Sequence, residues 1–139
     1  MRVLALDYGS ARCGCAVSDP TGVLATPLEP VLAPSSRRGL ARIAELVEEL
    51  GAERVIVGLP LSLAGGDSAQ TRASREFADT LRRRLSVPVE LYDERFTTRI
   101  AQLDESASVR PRATEDSRAA AHLLSSWLDS RYAGGVDRA

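Results

Sequence analysis

Two short apolar runs constrain the fold of this chain more than any other feature. They are RVIVGL at 54–59 and VPVELY at 87–92, and neither alternates strictly between polar and apolar residues. Such a run is typical of a strand in a parallel sheet that is covered on both faces. Each run follows a segment with helical periodicity, at 36–50 and at 68–85, so the sequence predicts an α/β fold in which helices flank a sheet.

The first part of the chain predicts three more strands. RVLAL at 2–6 and CGCAVS at 13–18 are short apolar runs joined by a turn, which is typical of an antiparallel hairpin. A third strand is predicted at 23–32, where Pro27 and Pro30 remove backbone donors and therefore favour an edge position. Three consecutive strands followed by alternating helices and strands indicate a mixed sheet.

The last third of the chain predicts two further helices and a tail. A short helix begins near Thr97 or Thr98, and a longer one covers about 115–131. The final segment AGGVDRA is rich in small residues and is predicted to be flexible. A chain of 139 residues fits one domain of ordinary size, so we predict a single domain at 1–131 and a flexible tail at 132–139.

The composition excludes several classes of protein and site. A formal net charge of −1 gives no basic excess, although all 18 basic residues are Arg and each can contact a phosphate in bidentate fashion. Cys13 and Cys15 do not complete a tetrahedral zinc site with the single distant His, so we interpret them as core residues. No apolar run reaches ~20 residues and no signal peptide is evident, so we expect a cytoplasmic protein without a membrane partner.

Acidic residues follow two of the predicted strands and begin the last helix. Asp7 ends the first strand, Asp93 and Glu94 follow the last strand, and Asp116 lies near the start of the final helix. Ligands collect beyond the carboxyl ends of parallel strands. If the first and last strands are parallel, then Asp7 and the Asp93–Glu94 pair meet at the same end of the sheet.

Asp116 is followed by an apolar stripe at helical spacing, which predicts that its side chain shares the inward face of the helix. The stripe consists of Ala120, Leu123, Leu124 and Trp127. An unpaired inward carboxylate is costly and converging carboxylates repel, and a divalent cation resolves both problems. Oxygen ligands without His or Cys suit Mg²⁺ or Mn²⁺. Each acid alone is better explained as an ordinary cap or turn residue, and only the joint placement of the acids at one end of the sheet reverses that preference.

Residues beside these acids are candidates for phosphate contacts. Gly9 leaves room for a phosphate next to Asp7, although a simple hairpin glycine explains it equally well. Arg12 and Arg95 lie close to the acids in sequence and can position phosphates, and solvated salt bridges are the alternative. An aromatic content of 4% argues against a base-stacking surface. A pair of metal ions ~4 Å apart at these acids would suit hydrolysis of a phosphodiester.

Four segments of the chain resemble, in order and spacing, the YqgF family of bacterial proteins. They are LALDYGSARCGCAVSD, VIVGLPLSLAGG, LYDERFTTRIAQ and EDSRAAAHLLSSWLD. These proteins are similar to Holliday-junction resolvases and are also described as pre-16S rRNA nucleases. The resemblance covers nearly the whole chain, and it implies a ribonuclease-H-like fold with a five-stranded mixed sheet and helices on both faces. It also implies a cytoplasmic nuclease that uses Mg²⁺ or Mn²⁺ to help mature the 5′ end of 16S rRNA.

The resemblance also implies roles for individual residues. Asp7, Glu94 and Asp116 match the family's three acids, which are both catalytic and metal-binding. Asp93 is an alternative to Glu94, because successive strand residues face opposite ways and only one of the two is expected to enter the site. The family's polar segment before the last acid is basic, and here it offers only Arg110 and Arg112 for contacts with RNA.

A Holliday-junction resolvase is the first alternative function. We expect a monomer or a homodimer whose nucleic-acid partner is pre-rRNA or structured DNA. Related resolvases place a carboxylate where the fourth strand here ends in GLP, so Glu94 must reach in from the neighbouring strand. A non-catalytic RNA-binding or transcription factor with the same fold is a second alternative. An actin-like ATPase is a third, but it would need a second domain of this fold.

Overall fold

The structure is a computed structural model, and it describes residues 1–60, 68–94 and 115–138, with side chains described up to residue 131 in the last range. Five strands and three helices are found in these ranges. They are β1 (Val3–Asp7), β2 (Arg12–Ser18), β3 (Ala25–Leu32), α1 (Arg37–Leu50), β4 (Arg54–Leu59), α2 (Ala69–Arg84), β5 (Val89–Asp93) and α3 (Glu115–Arg138).

The strands form one mixed sheet in the order β3-β2-β1-β4-β5. β2 is antiparallel to both of its neighbours, whereas β1, β4 and β5 are mutually parallel. All strands except β2 therefore end on the same side, which we call the carboxyl end of the sheet. This confirms the predicted mixed sheet, and it meets the condition that the first and last strands are parallel. β3 is an edge strand, in agreement with Pro27 and Pro30.

Helices cover both faces of the sheet, as predicted. Leu4 and Leu6 of β1 point to the core beneath α1 and α2, whereas Val3 and Ala5 point to the core beneath α3. This alternation explains why β1 is apolar throughout, since each of its faces is buried. Cys13 belongs to the α1–α2 core with no exposed surface, so its interpretation as a core residue is confirmed, and Cys15 lies beside it.

Local sequence signals set the ends of α1 and α2. The Ser36 hydroxyl accepts a hydrogen bond from Gly39 N at 3.0 Å and caps the start of α1. Gly51 ends α1 in the left-handed conformation with φ 64°, where its N–H donates to the Glu48 carbonyl. Ser68 caps α2 in the same way as Ser36 caps α1, by accepting from Thr71 N. Both helices begin and end within one residue of their predicted limits.

The last helix is longer than the sequence predicts. α3 runs to Arg138, whereas periodicity predicts its end near residue 131. Gly134 and Gly135 lower helix propensity by ~1 kcal/mol each relative to alanine, but they do not prevent the backbone from continuing. The division into a domain at 1–131 and a flexible tail at 132–139 stays a prediction. The short helix predicted near Thr97 lies outside the described residues.

Within the described ranges, no helix combines the length and the apolar character that a membrane span requires.

Candidate functional site

Asp7 and Glu94 are in contact at the carboxyl end of the sheet. Asp7 is the last residue of β1, and Glu94 directly follows the last residue of β5. Their carboxyl groups share a hydrogen bond, in which Glu94 is the donor and Asp7 the acceptor. Two strands that are not neighbours in the sheet thus bring their terminal acids together.

The absence of a side chain at Gly58 lets Glu94 cross β4 toward Asp7. Gly58 is the partner of Tyr92 in the register of β4 and β5. A Cβ atom added at Gly58 would lie only 3.0 Å from Glu94 Cγ and would overlap the Glu94 carboxyl. The fourth strand offers glycine at this level, and the carboxylate comes from the strand beside it.

Burial and neighbouring charge set the protonation of the acidic pair. Burial raises the pKa of Glu94 to about 7, and the charges of Asp7 and Asp93 together with the hydrogen bond act in the same direction. Burial and the charge of Asp116 raise the pKa of Asp7, against a lowering effect of the hydrogen bond from Glu94. Without a cation, Glu94 therefore retains a proton near neutral pH and donates it to the Asp7 carboxylate.

Asp116 lies beside this pair but points less inward than the sequence predicts. Its side chain is 44% exposed, and its Oδ2 lies 3.4 Å from Arg12 Nε in an ion pair. The next residue, Ser117, takes the fully buried position on α3. The predicted apolar stripe is buried as expected, but its centre passes through Ser117, so Asp116 lies at the border of the stripe.

Close backbone packing fixes the start of α3 on β2. Gly14 pairs with Asp7 in the register of β1 and β2. A Cβ atom at Gly14 would lie 2.7 Å from Ser117 N and would overlap the Asp116 carbonyl. The register of β2 and β3 shifts between Cys13 and Cys15, and Cys15 N donates to the buried Ser117 hydroxyl at 3.2 Å. These contacts hold the first turn of α3 next to Asp7.

Three residues that shape the site are missing from the sequence-based candidates: Gly14, Gly58 and Ser117. The two glycines lie inside strand patterns, and an isolated glycine in a strand often marks a close approach of another group. The two glycines could therefore have been identified from the sequence. The role of Ser117 could not be predicted, because it depends on the register shift in β2.

The acidic residues fit a hard divalent cation by their chemistry. In the described part of the chain, no three Asp, Glu, His or Cys side chains are arranged closely enough to hold a metal ion. The Asp7 and Glu94 carboxyls are instead hydrogen-bonded to each other, and Asp116 forms an ion pair with Arg12. Burial and neighbouring negative charge disfavour the ionised forms of Asp7 and Glu94, and a divalent cation would favour them.

The other predicted residues divide into described and undescribed ones. Arg12 reaches the site through its ion pair with Asp116. A Cβ atom at Gly9 would lie 2.8 Å from the Arg12 carbonyl, so the turn itself requires glycine there. The structure supports Glu94 rather than Asp93 as the partner of Asp7. The remaining candidates, Arg95, Arg110 and Arg112, lie outside the described residues.

Two solved structures share the ribonuclease-H-like fold of this chain. Thermus thermophilus RuvC in complex with a Holliday junction substrate matches with a TM-score of 0.68 at 16% identity, over 96% of this chain and 96% of that chain. The Fowlpox virus resolvase in complex with Holliday junction DNA gives a TM-score of 0.56 at 12% identity, over 94% and 98%. At these identities the likeness shows the fold alone, and it confirms the predicted fold class.

Sequence comparison defines the family. Residues 1–130 match the profile of RuvX, described as Holliday junction resolvase. A protein of Koribacter versatilis is 38% identical over 99% of this chain and 90% of its own length. A protein of Mycolicibacterium paratuberculosis is 47% identical over 95% and 82%. Both carry the name "Putative pre-16S rRNA nuclease". The chain belongs to the RuvX family, which confirms the resemblance to the YqgF proteins.

The raised pKa of Glu94 predicts a pH-dependent stability in the absence of divalent cations. The folded state keeps the Glu94 proton up to about pH 7, whereas the unfolded chain loses it near its ordinary pKa of 4.5. The stabilisation from this proton is therefore complete below the pKa of the unfolded chain and is lost as pH rises through the pKa of the folded state.

Urea unfolding in EDTA should show a free energy of unfolding that falls as pH rises across this window. Glu94→Gln should flatten the fall, and Glu76→Gln on the exposed face of α2 should not; equal slopes in all three proteins would contradict the assignment.

The two glycines predict different costs of adding a methyl group. In Gly14→Ala the new atom meets backbone of α3, which must move, so we expect a loss of about 1–3 kcal/mol in the free energy of unfolding. In Gly58→Ala it meets the flexible end of Glu94, which can rotate away, so the loss should be smaller. Denaturant titration of both variants measures the difference, and a larger loss for Gly58→Ala would be inconsistent with this packing.

Proposed function

We propose that this chain is a divalent-metal-dependent nuclease that cleaves RNA phosphodiester bonds during 5′-end maturation of pre-16S rRNA. The observation that carries the proposal is the hydrogen bond between the Asp7 and Glu94 carboxyls, with the charge of Asp116 acting on Asp7. Family membership and the names of the two relatives support this chemistry and this substrate. We further propose a cytoplasmic location and a protein that acts as a monomer or a homodimer.

The three acids would hold Mg²⁺ or Mn²⁺. When bound, the cation would activate water and stabilise the negative charge that develops on the phosphate. Asp7 contributes a buried carboxylate, and Glu94 contributes a group whose proton is readily displaced near neutral pH because its pKa is about 7. Asp116 completes the set from the first turn of α3, which covers the same face of the sheet. Asp93 remains the alternative to Glu94, but the hydrogen bond to Asp7 favours Glu94.

Arg12 has two roles in this proposal. Its ion pair limits where the Asp116 carboxylate can lie, and 54% of its side chain is exposed, so its guanidinium is accessible to a phosphate. Guanidinium groups bind phosphate oxygens in bidentate fashion. Contacts of RNA with Gly9, Arg95, Arg110 and Arg112 remain part of the proposal on the strength of the sequence alone.

Resolution of Holliday junctions is the second candidate function. The description of the family favours it, and so does the likeness in fold to RuvC bound to a Holliday junction. Structured DNA is therefore an alternative substrate for the same acids. A non-catalytic RNA-binding factor is the third candidate, and it requires no metal at the site.

Conservative variants of the acids test the proposal. Asp7→Asn and Glu94→Gln should each lower kcat for a 5′-extended 16S precursor by about 100-fold or more, since each removes a charge that acts on the transition state. Asp93→Asn, which changes the neighbouring acid, should stay within a few-fold of the parent. EDTA should abolish cleavage, and Mn²⁺ should restore it. Preferential cleavage of a four-way DNA junction would select the resolvase, and RNA binding without cleavage would select the non-catalytic factor.

A further inference from the structure

The charges of α1 run against its helix dipole. Arg37 and Arg38 occupy the first two positions of the helix, and its first turn contains no acid. The last turn contains Glu48 and Glu49 but no basic residue. Cations are unfavourable at the positive start of a helix, and anions are unfavourable at its negative end. The order of charges in α1 is therefore not explained by helix stability.

α2 and α3 provide the comparison within the same chain. α3 begins with Glu115 and Asp116, as its dipole favours. α2 ends with basic residues, again as its dipole favours. Its first turn contains no acid, and Arg72 lies just after that turn. Arginines thus occupy the unfavourable start of α1 and lie just after the first turn of α2, and these two helices cover the same face of the sheet.

The arginines at these two helix starts lack partners, unlike most other arginines. Arg37, Arg38 and Arg72, which we call the rim arginines, are exposed, and their side chains form no hydrogen bond or ion pair within the described ranges. Four other arginines in these ranges have a carboxylate within 4 Å, whereas Arg84 and Arg118 resemble the rim arginines in having no such partner; the four are Arg12, Arg42, Arg54 and Arg82. The rim arginines therefore present uncompensated positive charge to solvent.

The rim arginines lie at the same end of the sheet as the acidic site. α1 follows β3 and α2 follows β4, and both of these strands end at the carboxyl end of the sheet. Tyr8, next to Asp7, connects the two helices to the site. Its hydroxyl lies 2.9 Å from the Ser35 hydroxyl, and its ring stacks on Phe77 of α2 with a centroid distance of 4.5 Å. Ser35 precedes Arg37 by two residues, so their Cα atoms are at most ~7 Å apart.

We infer that the rim arginines bind backbone phosphates of the nucleic-acid strand that flanks the phosphodiester at the acidic site. The inference rests on the proposed function, because it concerns the substrate of that site. Exposed guanidinium groups bind phosphates whatever the base sequence, so these contacts position the strand and do not read it. The substrate lies across the carboxyl end of the sheet, with Arg12 on the α3 side and the rim arginines on the α1–α2 side.

A pair of charge-matched variants tests the inference. R37Q/R38Q removes two neighbouring exposed arginines at the carboxyl end, and R83Q/R84Q removes two neighbouring exposed arginines at the opposite end of α2. Binding of a labelled single-stranded RNA is measured by fluorescence anisotropy in EDTA, between about 50 and about 200 mM salt. Each lost phosphate contact lowers the slope of log Kd against log salt by ~0.7. We expect the slope to fall by ~1.4 for R37Q/R38Q, by ~0.7 for R72Q, and not at all for R83Q/R84Q.

Stability and conservative substitution separate a binding role from a structural one. R37Q/R38Q should melt at the same temperature as the parent or higher, because it removes cations from the positive end of α1. R37K/R38K keeps the charge and should keep the parent's salt slope. An unchanged slope in R37Q/R38Q, equal losses in both double variants, or no RNA binding by the parent chain would overturn the inference.

The experiment also separates this inference from the proposed function. Binding is measured without metal, so it does not depend on cleavage. If the parent cleaves RNA and R37Q/R38Q binds it with an unchanged slope, the rim arginines are excluded while the nuclease stands. If the slope falls as expected but no substrate is cleaved with Mg²⁺ or Mn²⁺, the arginines bind nucleic acid and the nuclease proposal fails.

Discussion

The contact between the Asp7 and Glu94 carboxyls is the constraint on which the rest of the site depends. It brings together acids from two strands that are not adjacent, and glycine at position 58 in the strand between them makes this possible. The same principle operates on the other side of Asp7, where Gly14 lets the backbone of α3 lie directly on β2. Small residues inside strands thus help to determine where the acidic groups meet.

This arrangement concentrates electrostatically unfavourable groups at the carboxyl end of the sheet. Burial and neighbouring charge raise the pKa of Glu94 to about 7, and unpaired arginines lie in the first turn of α1 and just after the first turn of α2. The two sets of groups carry opposite charge. The acids suit a bound cation, and the arginines suit the phosphates of a nucleic acid.

Much of the fold could be predicted from periodicity, caps and prolines. Ser36 and Gly51 mark the ends of α1, and the edge position of β3 follows from its prolines, because these are local signals. The site was harder to predict than the fold. The convergence of Asp7 and Glu94 depends on the strand order, which the resemblance to a family supplied. The half-exposed position of Asp116 depends on how α3 rotates over Gly14, and sequence spacing could not define that rotation to within one residue.

The central claim is that the acids at the carboxyl end of the sheet share a divalent cation. Anomalous diffraction from crystals of the protein soaked with Mn²⁺ tests it most directly. The account predicts an anomalous peak in contact with carboxylate oxygens of both Asp7 and Glu94, with the hydrogen bond between them replaced by metal ligation and Asp116 oriented toward the ion. A structure in which Mn²⁺ binds only elsewhere, while Asp7 and Glu94 remain bridged by a proton, would contradict the account.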